Sequence, residues 1–261
     1  MQSLRDDTFQ HIRALIHRVI GLSFADSKKP LISSRLAPRM QRLGLGLDSY
    51  DDYLALIAGA EDGGEFQLAV DLLTTNETYF FREPAHYALL AQALAQAKPR
   101  SLAVWSAAAS FGDESYSTAM LRAELQQQGR IGADWTILGT DISERVPHSA
   151  MAAVYPLDRL RNVSPERVHR HCLRGEGESE GLVQSHPRLR ERVRFGQLNL
   201  CQPYDGLGPL CHPVSPPEFD IDAAGSASTA DREWLEVRRL RSSKASYCEA
   251  KRHPQFQSIK A

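Results

Sequence analysis

The stretch Leu102-Ala103-Val104-Trp105-Ser106-Ala107-Ala108-Ala109-Ser110-Phe111-Gly112 decides the fold. Its first four residues are an apolar run, the next seven are small apart from Phe111 and end on glycine, and Tyr116 to Gln128 then follows helical spacing. That is strand, turn, helix. The pattern repeats at Trp135 to Gly139, a second apolar run halted by Thr140-Asp141-Ile142-Ser143, with another helical stretch opening near Arg145. Strands alternating with helices predict an α/β fold on a doubly wound parallel sheet. Val193 to Leu200 reads as a return to that sheet. The glycine-rich Arg174-Gly175-Glu176-Gly177-Glu178-Ser179-Glu180-Gly181 reads as part of a small β hairpin inserted at about 172–195.

Upstream the pattern is helical. Phe9, Ile12, Leu15, Ile16 and Val19 recur on one face between Asp7 and Gly21, which predicts an amphipathic helix ended by glycine. A second helix is expected from Pro30 through Leu31, Leu36, Met40 and Leu43 to Gly44-Leu45-Gly46, kinked at Pro38. Tyr50 to Ile57 and Glu65 to Leu73 read as two more. The expected organisation is an all-helical domain at 1–75, a sheet domain at 76–209, and a tail at 210–261 that loses the alternation.

With 31 basic against 32 acidic side chains in 261 residues and a net charge of -1, the chain has no global drive toward nucleic acid, and none is expected as a partner. No apolar run reaches the ~18 residues of a membrane span, and the first residues lack the order of a secretory signal, so a cytoplasmic protein without direct membrane insertion is expected. Cys172, Cys201, Cys211 and Cys248 are widely spaced without a CxxC pair, which predicts reduced thiols and no metal.

In a doubly wound sheet the ligand sits outside the carboxyl ends of the strands, at the first strand-to-helix turn. Ser106 to Gly112 occupies that place. A single glycine there argues against the GxGxxG cradle of a dinucleotide and against a nicotinamide oxidoreductase. Glu114 follows the turn, and Asp141 ends the second apolar run, where an acid accepts hydrogen bonds from ribose hydroxyls. Each has a plainer reading: Glu114 as a first-turn acid favoured by the helix dipole, Asp141 as the cap of the next helix. Asn76, Thr78 and Arg82 interleave with Tyr79-Phe80-Phe81, either as the wall of a pocket or as an aromatic hinge between domains.

Leu73-Thr74-Thr75-Asn76-Glu77-Thr78-Tyr79-Phe80-Phe81-Arg82-Glu83-Pro84, together with Val104 to Ser117, resembles the CheR-type chemotaxis receptor methyltransferases. The likeness runs from the first helix to about Pro209, through Asp141-Ile142-Ser143, the Arg174-Gly175 hairpin and Phe195 to Leu200. It implies a Rossmann-like methyltransferase sheet using S-adenosylmethionine. It also implies cofactor contacts at Asn76, Thr78, Arg82, Glu114, Asp141, Asn199 and Leu200, with Arg82 organising the catalytic site. The implied reaction is methyl transfer to glutamate side chains of methyl-accepting chemotaxis receptors, in adaptation, by a monomer acting on the receptors' cytoplasmic helices. Phe111, Asp113 and Ser115 depart from the family's usual Thr, Glu and Pro.

Substrate recognition has an independent basis. Arg35, Arg39 and Arg42 fall at i, i+4 and i+7 of the second helix, a basic stripe in a nearly neutral protein that suits an acidic helix or is simply a solvated face. The resemblance favours docking there. After Gly208-Pro209 the family's closing strand is replaced by Leu-Cys-His-Pro-Val-Ser-Pro-Pro, an abrupt break that reads as a frameshift. The sheet is then expected to lack its C-terminal strands, and a catalytically defective, receptor-binding adaptor is the alternative function.

Overall fold

The structure, a computed structural model, describes residues 4–46, 48–59, 64–201 and 256–258. It divides into two compact units. The first runs to Asn76 and takes in Ile142–Arg145 and the chain from Gln197; the second comprises Glu77–Asp141, Val146–Gly196 and the last described strand.

The first unit is helical: α1 (Asp6–Ile20), α2 (Lys29–Arg42), α3 (Tyr50–Gly59) and α4 (Gly64–Leu73). α1 has Asp6 and Asp7 in its first turn, where the helix dipole favours acids, and ends as expected at Gly21. Phe9, Ile12, Leu15 and Ile16 of α1 join Ile32, Leu36 and Met40 of α2, Tyr53 and Ile57 of α3, and Phe66 and Val70 of α4 in one core. Pro38 lies inside α2 without ending it, and the helix continues from Lys29 to Arg42. Proline removes the bond to the carbonyl four residues back. Ser34 and Pro38 are both exposed, opposite the buried Ile32-Leu36-Met40 stripe, so water can take that acceptor.

The second unit begins with α5 (Pro84–Ala97), then β1 (Ser101–Ala107), α6 (Asp113–Gln127), β2 (Asp134–Asp141) and α7 (Arg145–Ala152). β1 and β2 run parallel in continuous register from Ser101↔Asp134 to Ala107↔Thr140. β6 (Val193–Gln197) lies on the other side of β2, giving the order β1-β2-β6 among the described residues. A second sheet is formed by β3 (Val154–Pro156), β4 (Cys172–Gly175), β5 (Leu182–Ser185) and β7 (Phe256–Ser258) in the order β3-β5-β4-β7. The hairpin read at about 172–195 is β4 and β5, antiparallel, joined through Gly177–Ser179, with α8 (Pro165–His171) before and α9 (Pro187–Arg190) after.

After Pro209 the described residues include β7, which pairs antiparallel with β4 of the second sheet and adds no strand to the β1-β2-β6 sheet. An unpaired strand edge presents backbone donors and acceptors whatever the apolar content of the segment that meets them. The break at 210 and the rest of the tail lie outside the described residues.

Phe195 of β6 fixes the approach of three elements. A Cβ on Gly112, whose φ is +87°, would come within 2.8 Å of the Phe195 ring and 3.0 Å of Ala150. One on Gly139 would lie 2.5 Å from the same ring and 2.9 Å from Ser115 Oγ. The turn, β2 and β6 close on that ring only because both positions lack a side chain. Tyr116 packs against it at 5.8 Å between centroids.

Candidate active site

The turn after β1 departs from ordinary backbone. Ala108 and Ser110 have φ of 53° and 51°, and Gly112 follows at 87°, so three of five residues are left-handed. For a residue with a Cβ this costs about 1–2 kcal/mol and persists only where the surroundings impose it. Here they do. Ala109 N–H donates to Thr140 O at 2.8 Å, Ser110 N–H to Asp141 Oδ2 at 2.9 Å, and Gly112 N–H to Ala109 O at 3.0 Å. Across the strands Trp105 Nε1 donates to Thr140 Oγ1 at 2.9 Å. The end of β2 thus holds the turn, and Asp141, buried at 7% exposure, is its anchor. The plain reading of Asp141 as a cap of α7 does not account for its bond to Ser110.

Glu114 sits in the first turn of α6, exposed, and accepts a hydrogen bond from Ser106 Oγ at 2.8 Å. Asp141 and Glu114 therefore flank one turn at the carboxyl ends of two parallel strands, where positional logic puts a ligand. Ala107 and Ala108 between them are exposed, so a ligand can approach the backbone there.

The segment before α5 divides its residues between two jobs. Phe80 and Phe81 are buried at 0% and 4% and belong to the core of the second unit. Tyr79 and Thr78 are half-buried and Arg82 is exposed, donating from Nη1 to Glu77 O at 2.8 Å. Phe81 N–H donates to Ser117 Oγ at 2.9 Å, and that hydroxyl donates to Asp113 O at 2.6 Å. Phe80 N–H donates to Arg159 O at 3.1 Å. Thr78, Arg82, Glu114 and Asp141 are thus carried by one unit on mutually fastened backbone.

The remaining expected cofactor residues belong to the first unit. Asn76 is half-buried at its boundary. Asn199 is buried, donates from Nδ2 to Val19 O at 2.8 Å and accepts from Cys201 N–H at 3.0 Å, so its amide ties the chain after β6 to α1. Leu200 is exposed beside it.

The basic stripe also divides. Arg35 donates to Leu73 O at 2.9 Å and Thr74 O at 3.1 Å, satisfying carbonyls at the end of α4. Arg39 makes a two-pronged bond to Glu65, whose carboxylate also accepts from Tyr53 OH at 3.0 Å. Arg39 in turn holds the Glu65 carboxyl below its usual range against the opposing effect of burial. Arg42 alone of the three is exposed.

Sequence reasoning missed Arg159, which meets Asp113 at 3.0 Å across 46 residues. It also missed α5, whose one local signal was Pro84 at the start of the helix. A cavity of about 300 Å³ lies among Phe81, Tyr87, Ala91, Leu121, Asn162 and Arg167, and none of the expected cofactor residues lines it.

The comparisons with known proteins agree with this architecture. The family model "CheR methyltransferase, all-alpha domain" matches residues 7–74, and "CheR methyltransferase, SAM binding domain" matches 76–210. The chain is thus an S-adenosylmethionine-dependent methyltransferase, an all-helical domain followed by a cofactor-binding one. It belongs to the CheR family. A "Chemotaxis protein methyltransferase" of Escherichia coli is 37% identical over 209 residues, 80% of this chain and 71% of that one. The protein so named from Salmonella typhimurium is 36% identical over the same length and shares. "Chemotaxis protein methyltransferase 2" of Pseudomonas aeruginosa is 39% identical over 200 residues, 76% of this chain and 69% of its own. The family and these relatives place the activity in chemotaxis. Among the described residues no helix is long and apolar enough to cross a membrane.

Proposed function

We propose that the chain transfers the methyl group of S-adenosylmethionine to glutamate side chains of methyl-accepting chemotaxis receptors, forming methyl esters. The observation that carries this reading is the strained turn Ala108–Gly112 held by the Asp141 carboxylate, with Glu114 at its far side. These residues fit the cofactor: an acid at the end of β2 suits ribose hydroxyls, and exposed alanines admit an adenosine to the backbone. Arg82 and Thr78 would take the methionine end, where a guanidinium fork suits a carboxylate. Asn76, Asn199 and Leu200, of the first unit, are proposed as cofactor residues from the likeness to the family; within that unit the Asn199 amide is bonded to Val19 and Cys201.

The bound cofactor supplies an electrophilic methyl on a sulfonium sulfur. A glutamate side chain with an ordinary pKa near ~4.3 is already a carboxylate at neutral pH, so the protein need not remove a proton. Its task is to align a carboxylate oxygen with the methyl group and exclude water, and positioning of this kind can supply ~7 to 11 kcal/mol. On the first unit, exposed Arg42 is the proposed docking charge for an acidic receptor helix, while Arg35 and Arg39 hold α2 to α4 and Glu65.

The test is transfer of labelled methyl from S-adenosylmethionine to a receptor cytoplasmic fragment, with and without Glu→Gln changes in that fragment. Base-labile label on the fragment that disappears in the Gln variants supports the reading. Receptor binding without transfer supports the defective adaptor instead.

A further inference from the structure

Arg159 belongs to the 3-10 turn Leu157–Leu160, far in sequence from both segments that carry the proposed cofactor contacts, yet it touches each of them. Its Nη1 donates to Asp113 Oδ2 at 3.0 Å, at the first position of α6. Its guanidinium lies 4.9 Å from the centroid of the Phe111 ring, on the turn itself. Its backbone carbonyl accepts the N–H of Phe80, two residues before Arg82. Asp113 is fully buried, and its other carboxylate oxygen has no hydrogen-bond partner, so Arg159 is the charge that compensates it. Tyr155 OH, four residues earlier in the chain, donates to Phe111 O at 2.9 Å and secures the same turn from the same side.

We infer that Arg159 is a positioning residue that clamps the Thr78–Arg82 segment against the turn after β1, setting the spacing between Arg82 and Glu114. The inference rests on the cofactor reading of those two residues. The geometry shows why an arginine is needed. One planar group must reach a buried carboxylate, lie near an aromatic ring, and stay in place while its backbone holds Phe80. A lysine ammonium can pair with Asp113 but lacks the planar fork and the flat face. Displacing a positioned group by about 1 Å is enough to cost on the order of 100-fold in a site of this kind.

A structural ion pair would also explain these contacts, so the test separates stability from positioning. Arg159→Met leaves Asp113 buried without its counter-charge, and both thermal midpoint and affinity for S-adenosylhomocysteine should fall. Adding Asp113→Asn to Arg159→Met removes the stranded charge, and the midpoint should recover toward that of the wild-type chain. Affinity in the double variant, read by calorimetric titration with S-adenosylhomocysteine, should stay at least ~10-fold weaker, because the clamp is still absent. Arg159→Lys should fall between wild type and Arg159→Met in affinity. Recovery of affinity together with the midpoint overturns the clamp and leaves an ordinary ion pair. Wild-type affinity in folded Arg159→Met overturns it as well. A wild-type chain that binds no S-adenosylhomocysteine removes the cofactor reading and the clamp together, an outcome distinct from the other two.

Discussion

Asp141→Ala should separate the two tasks assigned to the carboxylate. In the structure Asp141 Oδ2 accepts Ser110 N–H at 2.9 Å, and Ser110 is one of the left-handed residues of the turn. Losing one such bond costs about 1 kcal/mol, since Ser110 is half-exposed and water can replace the acceptor. In a chain of this size that is a fall of about 2–4 °C in thermal midpoint. The proposed bonds to the ribose hydroxyls are to an ionised group, worth about 1.5–3 kcal/mol each. Loss of even one such bond gives about 2 kcal/mol, or roughly 30-fold in affinity for S-adenosylhomocysteine. Asp141→Asn keeps an acceptor for Ser110 and loses only the charge. Its midpoint should match wild type and its affinity should fall about 10-fold. Calorimetric titration and thermal unfolding of the three proteins make the comparison. A folded Asp141→Ala chain that binds within about 3-fold of wild type would refute the reasoning. Equal midpoints for the Ala and Asn variants would refute the anchoring of the turn.

Three further outcomes are expected. Gly139→Ala puts a methyl group 2.5 Å from the Phe195 ring, and overpacking of this kind costs about 1–3 kcal/mol, so its midpoint should drop by several degrees; no drop means that β6 is not seated against β2 as described. Burial pushes the Glu124 carboxyl up, but hydrogen bonds from Arg167 and His171 pull it down further, to about 2 from 4.5. Its folded value lies below its unfolded one, so its stabilisation is full above about pH 4.5 and fades as the pH falls toward about 2. Glu124→Gln should flatten that acid dependence in urea unfolding between pH 5 and pH 3, and an unchanged slope would show that Glu124 does not carry it. Arg42→Glu should raise KM for a receptor fragment by about 3- to 10-fold at low salt with no change in S-adenosylhomocysteine affinity, and an unchanged KM removes the docking role.

The elements legible in the sequence were those with a local signature. The four helices of the first unit declare themselves by apolar residues at helical spacing, such as Phe9, Ile12 and Ile16 of α1. The β1–turn–α6 unit is legible because small residues and Gly112 interrupt an apolar run. α5 was not, since its apolar residues are spread around the helix and only Leu94 is buried. Pro38 is tolerated inside α2 because Ser34, whose carbonyl loses its helical partner, is exposed, which no window of sequence records. Within the site, Asp141 and Glu114 were placed by position relative to strands, whereas Arg35 and Arg39 were assigned outward roles from charge alone. Their partners, Leu73, Thr74 and Glu65, lie 26 to 39 residues away. Phe111 and Asp113 read in sequence only as departures from a family pattern. In three dimensions both meet Arg159.

The turn after β1 has a kinetic consequence. Its backbone is already tied to Thr140 and Asp141 and backed by the Phe195 ring at Gly112, so little of it remains to be ordered when a ligand arrives. Association of S-adenosylhomocysteine should therefore proceed in a single phase whose rate rises linearly with ligand concentration, without a plateau set by loop rearrangement. Differences in affinity among variants of this turn should then reside in the dissociation rate, and a turn loosened by substitution should reveal itself first as a shorter residence time.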